Sequence, residues 1–267
     1  MSISFVGFRR LLALVAVMAA LPCQAQPKSE LAQPPPLDPA EGERQARALV
    51  GRLLEQRPEQ PSTNTGVLKM RDKDGNQREV SARFDIVPQG DHWLSIYEAA
   101  GRAHSAPTVL TIVHKGGEPN EYLLSEPTAS GGDHPGQRKL GPDELMLPFA
   151  GSDFWVADLG LEFLHWPEQR ILRKQMRKGL SCDVLQSINS RPLKEGYSKV
   201  LSWIAINRTD DIVIVHAEAF DPQGKLLKEF DPKKVEKVNG VWQLEEMEIR
   251  NRQTGTRTRI EFNLDAQ

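Results

Sequence analysis

Apolar residues fall at two spacings along this chain. Between Ala40 and Arg57 they recur at helical spacing, so that Ala46, Leu49, Val50, Leu53 and Leu54 share one face. Asp38-Pro39 reads as the N-cap and first helical position, and Pro58 and Pro61 end the run. From Gly66 onward the period falls to two. "GVLKMRD" and "REVSARFDIV" flank "KDGN", whose Asp74-Gly75 is a hairpin turn signal. Further strands are predicted at "HWLSIYEA", "TVLTIVHK", "EYLLSE", "RILRKQMRK", "CDVLQSI", "KVLSWIAIN", "DIVIVHAEAF", "KLLKEFD", "KKVEKV", "VWQLEEMEIR" and "TRIEFNL". Pro222-Gln223-Gly224 and Asn239-Gly240 supply turns between them.

Two stretches interrupt the strands. Residues 127–145 are rich in Gly and Pro and too long for an ordinary turn, which predicts a lid or an excursion without structure of its own. "GSDFWVADLGLEFLHWP" follows and predicts one short helix, with Ser152 as its N-cap, Asp153 in its first turn and Pro167 closing it. Phe154, Trp155, Leu159, Leu161, Phe163, Leu164 and Trp166 make it the most apolar part of the chain after the leader. Such a helix either covers a core or lines a cavity. Strands and helices do not alternate, which argues against a parallel sheet. The expected fold is mainly β with few helices, as one long, curved antiparallel sheet.

The first residues read differently. Arg9 and Arg10 precede the apolar run Leu11 to Leu21, and Cys23-Gln24-Ala25 offers small residues before a cleavage site at Gln26. Residues 1–25 are therefore expected to be a signal peptide. Lipid attachment at Cys23 is the lesser alternative, because Pro22 fits such a site poorly. Residues 26–37 form a Pro-rich tether and 38–267 one domain. Cleavage would leave Cys182 as the remaining cysteine, without an internal disulfide partner.

The formal net charge of −2 argues against a nucleic-acid partner. His92, His104, His114, His134, His165 and His216 show no metal-ligand spacing, and no nucleophile elbow or phosphate-binding loop occurs. No catalytic residue, metal or cofactor is therefore expected. An enzyme would require His114 or His216 to meet an acid and a serine in an open cleft. The sequence does offer more apolar faces than a thin sheet needs, and a sheet curved over two helices can enclose a cavity suited to an acyl chain. The cavity candidates are Leu68, Met70, Phe84 and Ile86 early, Met247, Ile249, Ile260 and Phe262 late, and Phe154, Trp155 and Phe163 from the helix. Plain core packing is the competing reading for each of them.

"LPFAGSDFWVADL", "GLSCDVLQSI", "YSKVLSWIAINRTD", "AFDPQGKLLKEF" and "NGVWQLEEMEIRNRQTGTRTRIEF" occur in that order. Together, from about Gly66 to Leu264, the chain resembles the outer membrane lipoprotein-sorting protein family, related to the LolA and LolB carriers of the Lol system. The resemblance implies an incomplete, strongly curved antiparallel β-barrel closed by helices. It implies a monomeric, non-enzymatic periplasmic carrier or chaperone for lipid or lipoprotein acyl chains, with an inner-membrane transporter and an outer-membrane acceptor as partners. The alternative it leaves open is a periplasmic sensor or adaptor that uses the same fold to bind a membrane transporter or regulator.

The last predicted hairpin raises a charge problem. Met247, Ile249, Ile260, Phe262 and Leu264 share one face by period two. Arg250, Arg252, Arg257 and Arg259 share the other, with Glu248 and Glu261. The simplest register sets Ile249 opposite Ile260 and Arg250 opposite Arg259, and directly opposed like charges are unfavourable. Acids on a neighbouring strand, a bulge that shifts the register, or a bound anion would relieve it.

Overall fold

The first helix, α1, spans Pro39–Glu55 and begins as its sequence dictates. The Asp38 carboxylate accepts a hydrogen bond from the Glu41 amide at 3.2 Å, capping an end that would otherwise have unpaired donors. Ala46, Leu49 and Val50 are buried against the sheet, while Leu53 and Leu54 are half-buried. The computed structural model describes residues 35–101, 105–126, 136–206, 212–238 and 241–263, without the side chains of 235–243. The leader, Cys23, His104, His134 and Leu264 lie outside the described residues, as do residues 26–34 of the tether and 127–135 of the Gly/Pro-rich stretch. The end of the tether is docked: the Leu37 amide donates to the Leu172 carbonyl at 2.8 Å.

The strands follow the period-two segments closely. They are β1 (Ser62–Arg71), β2 (Gln77–Gln89), β3 (His92–Ala99), β4 (Thr108–Lys115), β5 (Glu121–Ser125), β6 (Arg138–Lys139), β7 (Glu168–Arg177), β8 (Leu180–Ile188), β9 (Lys199–Ile206), β10 (Ile212–Phe220), β11 (Leu226–Val238), β12 (Val241–Asn251) and β13 (Arg257–Asn263). All are antiparallel, in the order β6-β5-β4-β3-β2-β1-β13-β12-β11-β10-β9-β8-β7. Each strand pairs with its sequence neighbours except at the centre, where β1 and β13 join, and at the two open edges, β6 and β7. The sheet thus curves without closing into a barrel.

Two sequence expectations are corrected. Residues 225–231 and 233–238 are one strand, because a bulge around Pro232 to Lys234 accommodates the proline without ending the pairing. The apolar segment before β7 is not a single helix. It is a 3₁₀ turn at Phe149–Gly151, a four-residue helix α2 (Val156–Leu159) and another 3₁₀ turn at Glu162–His165. Ser152 closes a local turn, accepting from the Phe154 amide at 3.1 Å, and Leu161 with φ 49° interrupts the helical path. The first amides of α2 are satisfied from outside the helix: Val156 and Ala157 donate to the carbonyls of Leu147 and Leu145.

Residues 140–167 connect one edge of the sheet to the other, so they must cross its concave side. Two apolar clusters fill that side. One joins Leu68, Phe84, Leu110, Ile112, Ile249 and Ile260 to Phe149 and Phe154 of the crossing segment. The other joins α1 and Phe163 to Ile171, Leu185, Val200, Ile204 and Ala217. At the central seam Leu68 stands opposite Ile260 and Val80, and Gly66 stands opposite Phe262. A Cβ on Gly66 would come within 2.3 Å of the Glu261 carbonyl oxygen, whereas one on Gly51 in α1 would meet nothing within 4 Å. Gly66→Ala is therefore expected to lower unfolding free energy by about 1–3 kcal/mol through overpacking at the seam. Gly51→Ala is expected to raise it by about 0.5–1 kcal/mol through helix propensity. Urea unfolding of the two variants checks both signs.

Candidate functional site

The concave side is not filled solid. A cavity of about 240 Å³ lies between the crossing segment and the sheet. Its walls come from Tyr97 on β3, Val200 on β9, Ala217 and Ala219 on β10, Phe230 on β11, and Met247 and Ile249 on β12. Strands β3 and β9 are far apart in the sheet order, so one cavity touches both because the sheet curves. Phe154, Leu159, Leu161 and Phe163 form the roof. The space exists because β10 presents alanines there: Ala217 stands opposite Phe230 and Ala219 opposite Lys228. A second recess of about 230 Å³, between α1 and β3–β4, shares Tyr97, Leu159 and Leu161 with the first.

One charged group stands in the apolar wall. Lys228 is only 2% exposed, and its ammonium donates to the Asp153 carbonyl at 2.7 Å and to Asp158 Oδ2 at 3.3 Å. It also lies 3.4 Å from the centre of the Trp155 ring, a cation–π contact. Asp158 is held in turn by the Tyr197 hydroxyl at 2.8 Å and the Trp155 amide at 2.7 Å. Burial lowers the Lys228 pKa to about 8, and the attraction of Asp158 only partly restores it. Burial likewise raises Tyr97 to about 12, and its hydroxyl donates to the Leu159 carbonyl at 3.2 Å.

The roof is tied down on every side. Asp153, expected in a helical first turn, instead reaches the far end of the chain: its carboxylate accepts from Thr256 and from Thr258, the latter at 2.8 Å. Arg78 donates to the Ala150 carbonyl at 2.9 Å, Asn120 to the Gly160 carbonyl at 2.8 Å, and Tyr122 to Glu162 at 2.7 Å. Gly160 is required at its place, since a Cβ there would meet the Tyr122 hydroxyl at 2.2 Å.

The cavity candidates divide between two environments. Phe154, Phe163, Met247 and Ile249 line the cavity. Leu68, Met70, Phe84, Ile260 and Phe262 pack with one another and with Phe149 beneath the roof, Phe84 meeting Phe262 edge-on at 4.9 Å. Trp155 stacks on Tyr197 at 4.7 Å beside the cavity. Ile86 is half-buried opposite Ser62 and Ser95 and joins neither cluster. Tyr97, Asp158, Tyr197, Lys228 and the two alanines escaped the sequence reading. A lone lysine in phase with Phe230 within "KLLKEF" was the available signal for Lys228.

Among the described residues, neither His114 nor His216 meets both an acid and a serine in an open cleft. The Asn120 amide nitrogen donates to Gly160, so its oxygen faces His114 Nδ1 at 2.9 Å and fixes the proton there. His114 Nε2 then accepts from the Ser95 hydroxyl at 3.0 Å. The third member is an amide, and Ser95 is 6% exposed under the Trp93–His114 stack. Burial lowers the His114 pKa to about 4. His216 bonds two acids, Asp231 at 2.8 Å and Glu218 at 3.3 Å, but is 1% exposed. Among the described residues no group of His, Cys, Asp and Glu is placed to hold a metal ion, and no helix is long and apolar enough to cross a membrane.

Lys228 gives the site a pH signature. Between pH 8 and about 10 the unfolded lysine keeps a proton that the folded one has released, so stability should rise with pH across that window. Lys228→Met should lose this rise. Urea unfolding of both proteins from pH 7.5 to 9.5 measures it, and a constant difference between them would contradict the burial argument.

The fold and the site can now be set beside known proteins. A family model described as "Uncharacterized protein" matches residues 137–264. No curated protein matches the chain. A DUF1329 family protein from Desulfovibrio piger superposes with a TM-score of 0.66 at 16% identity, covering 84% of this chain and 92% of that one. An outer membrane lipoprotein-sorting protein domain from Vibrio parahaemolyticus gives 0.62 at 19% identity, covering 82% and 91%. A LolA superfamily protein from Nitrosomonas europaea gives 0.56 at 14% identity, with the same coverage of 82% and 91%. The chain therefore resembles, and shares the open antiparallel fold of, the outer membrane lipoprotein-sorting and LolA superfamily structures.

Proposed function

We propose that the protein is a non-enzymatic periplasmic carrier that shields lipid or lipoprotein acyl chains from water. The apolar cavity between the curved sheet and its roof carries this reading. Its lining is aliphatic and aromatic apart from Lys228, Asp158 and the two tyrosines, whose polar groups are engaged with one another and with the roof. Such a wall holds methylenes by exclusion of water, at about 0.8 kcal/mol each, and needs no reacting group. The likeness in fold to a lipoprotein-sorting domain supports the same class of cargo.

In this reading Phe154, Phe163, Met247 and Ile249 touch the first part of the chain. A longer acyl chain displaces Phe149 and Phe154 and extends onto Leu68, Met70, Phe84, Ile260 and Phe262, with Trp155 at the side and Ile86 at the far end. Residues 1–25 direct export and are removed, residues 26–37 lead into the domain, and a monomer passes its cargo from an inner-membrane transporter to an outer-membrane acceptor.

Ala219→Trp tests the site, because it places an indole in the cavity opposite Lys228. Excluding even two methylenes costs about 1.6 kcal/mol, so affinity for a fluorescent fatty acid should fall more than tenfold. Val213→Gln on an exposed position is the control. Mass spectrometry of lipid extracted from the purified wild type should show bound acyl chains. Lipid-free wild type together with unaltered fatty-acid binding by Ala219→Trp would sink the proposal.

A further inference from the structure

Outside an apolar cluster at Val184, Trp203 and Val215, the convex face of the sheet carries a mosaic of opposite charges. Lys69 pairs with Glu261 at 2.6 Å, Arg83 with Asp85 at 2.9 Å and Lys178 with Asp231 at 3.4 Å. One row departs from it. Arg71 on β1 stands directly opposite Arg257 on β13, and Arg257 stands opposite Arg250 on β12. Three like charges on three adjacent strands oppose the pairing that holds those strands.

The acids nearby offset this row only in part. Glu248 lies beneath it, 1% exposed, with Arg250 at 2.5 Å, Arg259 at 3.1 Å, Lys233 at 3.7 Å and Arg257 at 3.8 Å. One carboxylate thus serves four cations, although Arg259 also reaches Glu246 at 3.1 Å and Lys233 also reaches Asp231 at 3.6 Å. Arg252 is bonded to Glu229. Asp72 is occupied by its own turn, accepting from the amides of Asp74 and Asn76 and from the Asn76 side chain. Among the described residues, Arg71 and Lys73 have no acidic partner.

These groups converge. The tips of the β1–β2 and β12–β13 hairpins approach so closely that a Cβ on Gly255 would lie 3.6 Å from the Lys73 Cβ. Between them runs an open groove of about 330 Å³, lined by Arg71, Lys73, Arg250, Arg252 and Arg257 with Asp72 as its acid. Guanidinium forks match phosphate oxygens two at a time. A groove at two hairpin tips is open enough to meet phosphates presented on a surface.

We propose that this groove binds the phosphate of an anionic lipid headgroup and thereby docks the protein on a bilayer by its convex face. The setting rests on the carrier reading, while the binding itself does not depend on the cavity. Co-sedimentation with vesicles of phosphatidylcholine, alone or mixed with phosphatidylglycerol, tests it. The wild type should bind the mixed vesicles only, and less tightly as salt is raised. The double substitution Arg71→Gln with Arg257→Gln should weaken binding by roughly 10- to 30-fold. Arg71→Lys with Arg257→Lys should bind between the wild type and the glutamine pair, because it keeps the charge and loses the forks. Both pairs should remain folded in urea titrations, since removing opposed charges relieves repulsion.

Ala219→Trp should bind the mixed vesicles as the wild type does, which separates failure of this site from failure of the carrier reading. Equal binding to both kinds of vesicle, or no change with the glutamine pair, would overturn the proposal. So would saturation by inorganic phosphate without vesicle binding, because that outcome assigns the groove to a free anion.

Discussion

Everything on the concave side depends on one connection. The sheet is a meander whose two ends meet at its centre, so its edges, β6 and β7, are joined by residues 140–167. That segment has no route except across the open side. A curved sheet with an apolar inner face must cover that face, and this is the stretch of chain available to do so. The cover is irregular: its short helix and turns use Tyr97, Thr258 and Lys228 of the sheet as partners for their amides and carbonyls.

This has an energetic consequence. Cover and sheet are joined by buried polar groups, which are costly when unpaired and modest in net value when paired. Lys228 and Asp158 show the balance: the desolvation of the lysine exceeds the attraction of its partner, as its lowered pKa records. An apolar cover of the same shape would hold more firmly. Under the carrier function proposed above, polar ties that exchange for water at little net cost would suit a cover that rises for cargo and settles again. The alanines of β10 leave the space beneath it, and the aromatic residues of the cover close that space from above.

The convex face follows another rule. Most of the charged residues there meet water, so their charges cost little and their arrangement is set by strand register, although Glu248 and His216 on the same face are buried. The loop from Arg252 to Thr256 shifts the last hairpin by two residues from its simplest register. Arg259 then falls opposite Glu248 and Arg250 opposite Arg257. Acids on the same and neighbouring strands relieve part of the conflict, with Glu248 buried beneath the arginines. Burial alone would raise its pKa, but the bonds from Arg250 and Arg259 outweigh that and hold it below the ordinary value.

Local physics made much of this legible in the sequence. Period-two alternation located the strands, with "HWLSIYEA" and "TVLTIVHK" matching β3 and β4 end to end, and the Asp38-Pro39 cap located α1. These features depend on neighbours a few residues away, which a sequence displays. Which inward-facing residues line a cavity and which fill a core does not. Ile249 and Ile260 share the inner face, yet only Ile249 reaches the cavity, because curvature and the path of residues 140–167 decide what lies above each one. The segment from Gly151 to Pro167 has helical composition, but tertiary partners such as Thr258 for Asp153 and Tyr122 beside Gly160 pulled it into turns. Lys228 belongs to the same class: its sequence neighbours mark it as odd, and only the fold, by placing Asp158 and Trp155 against it, determines that its charge is buried and paired.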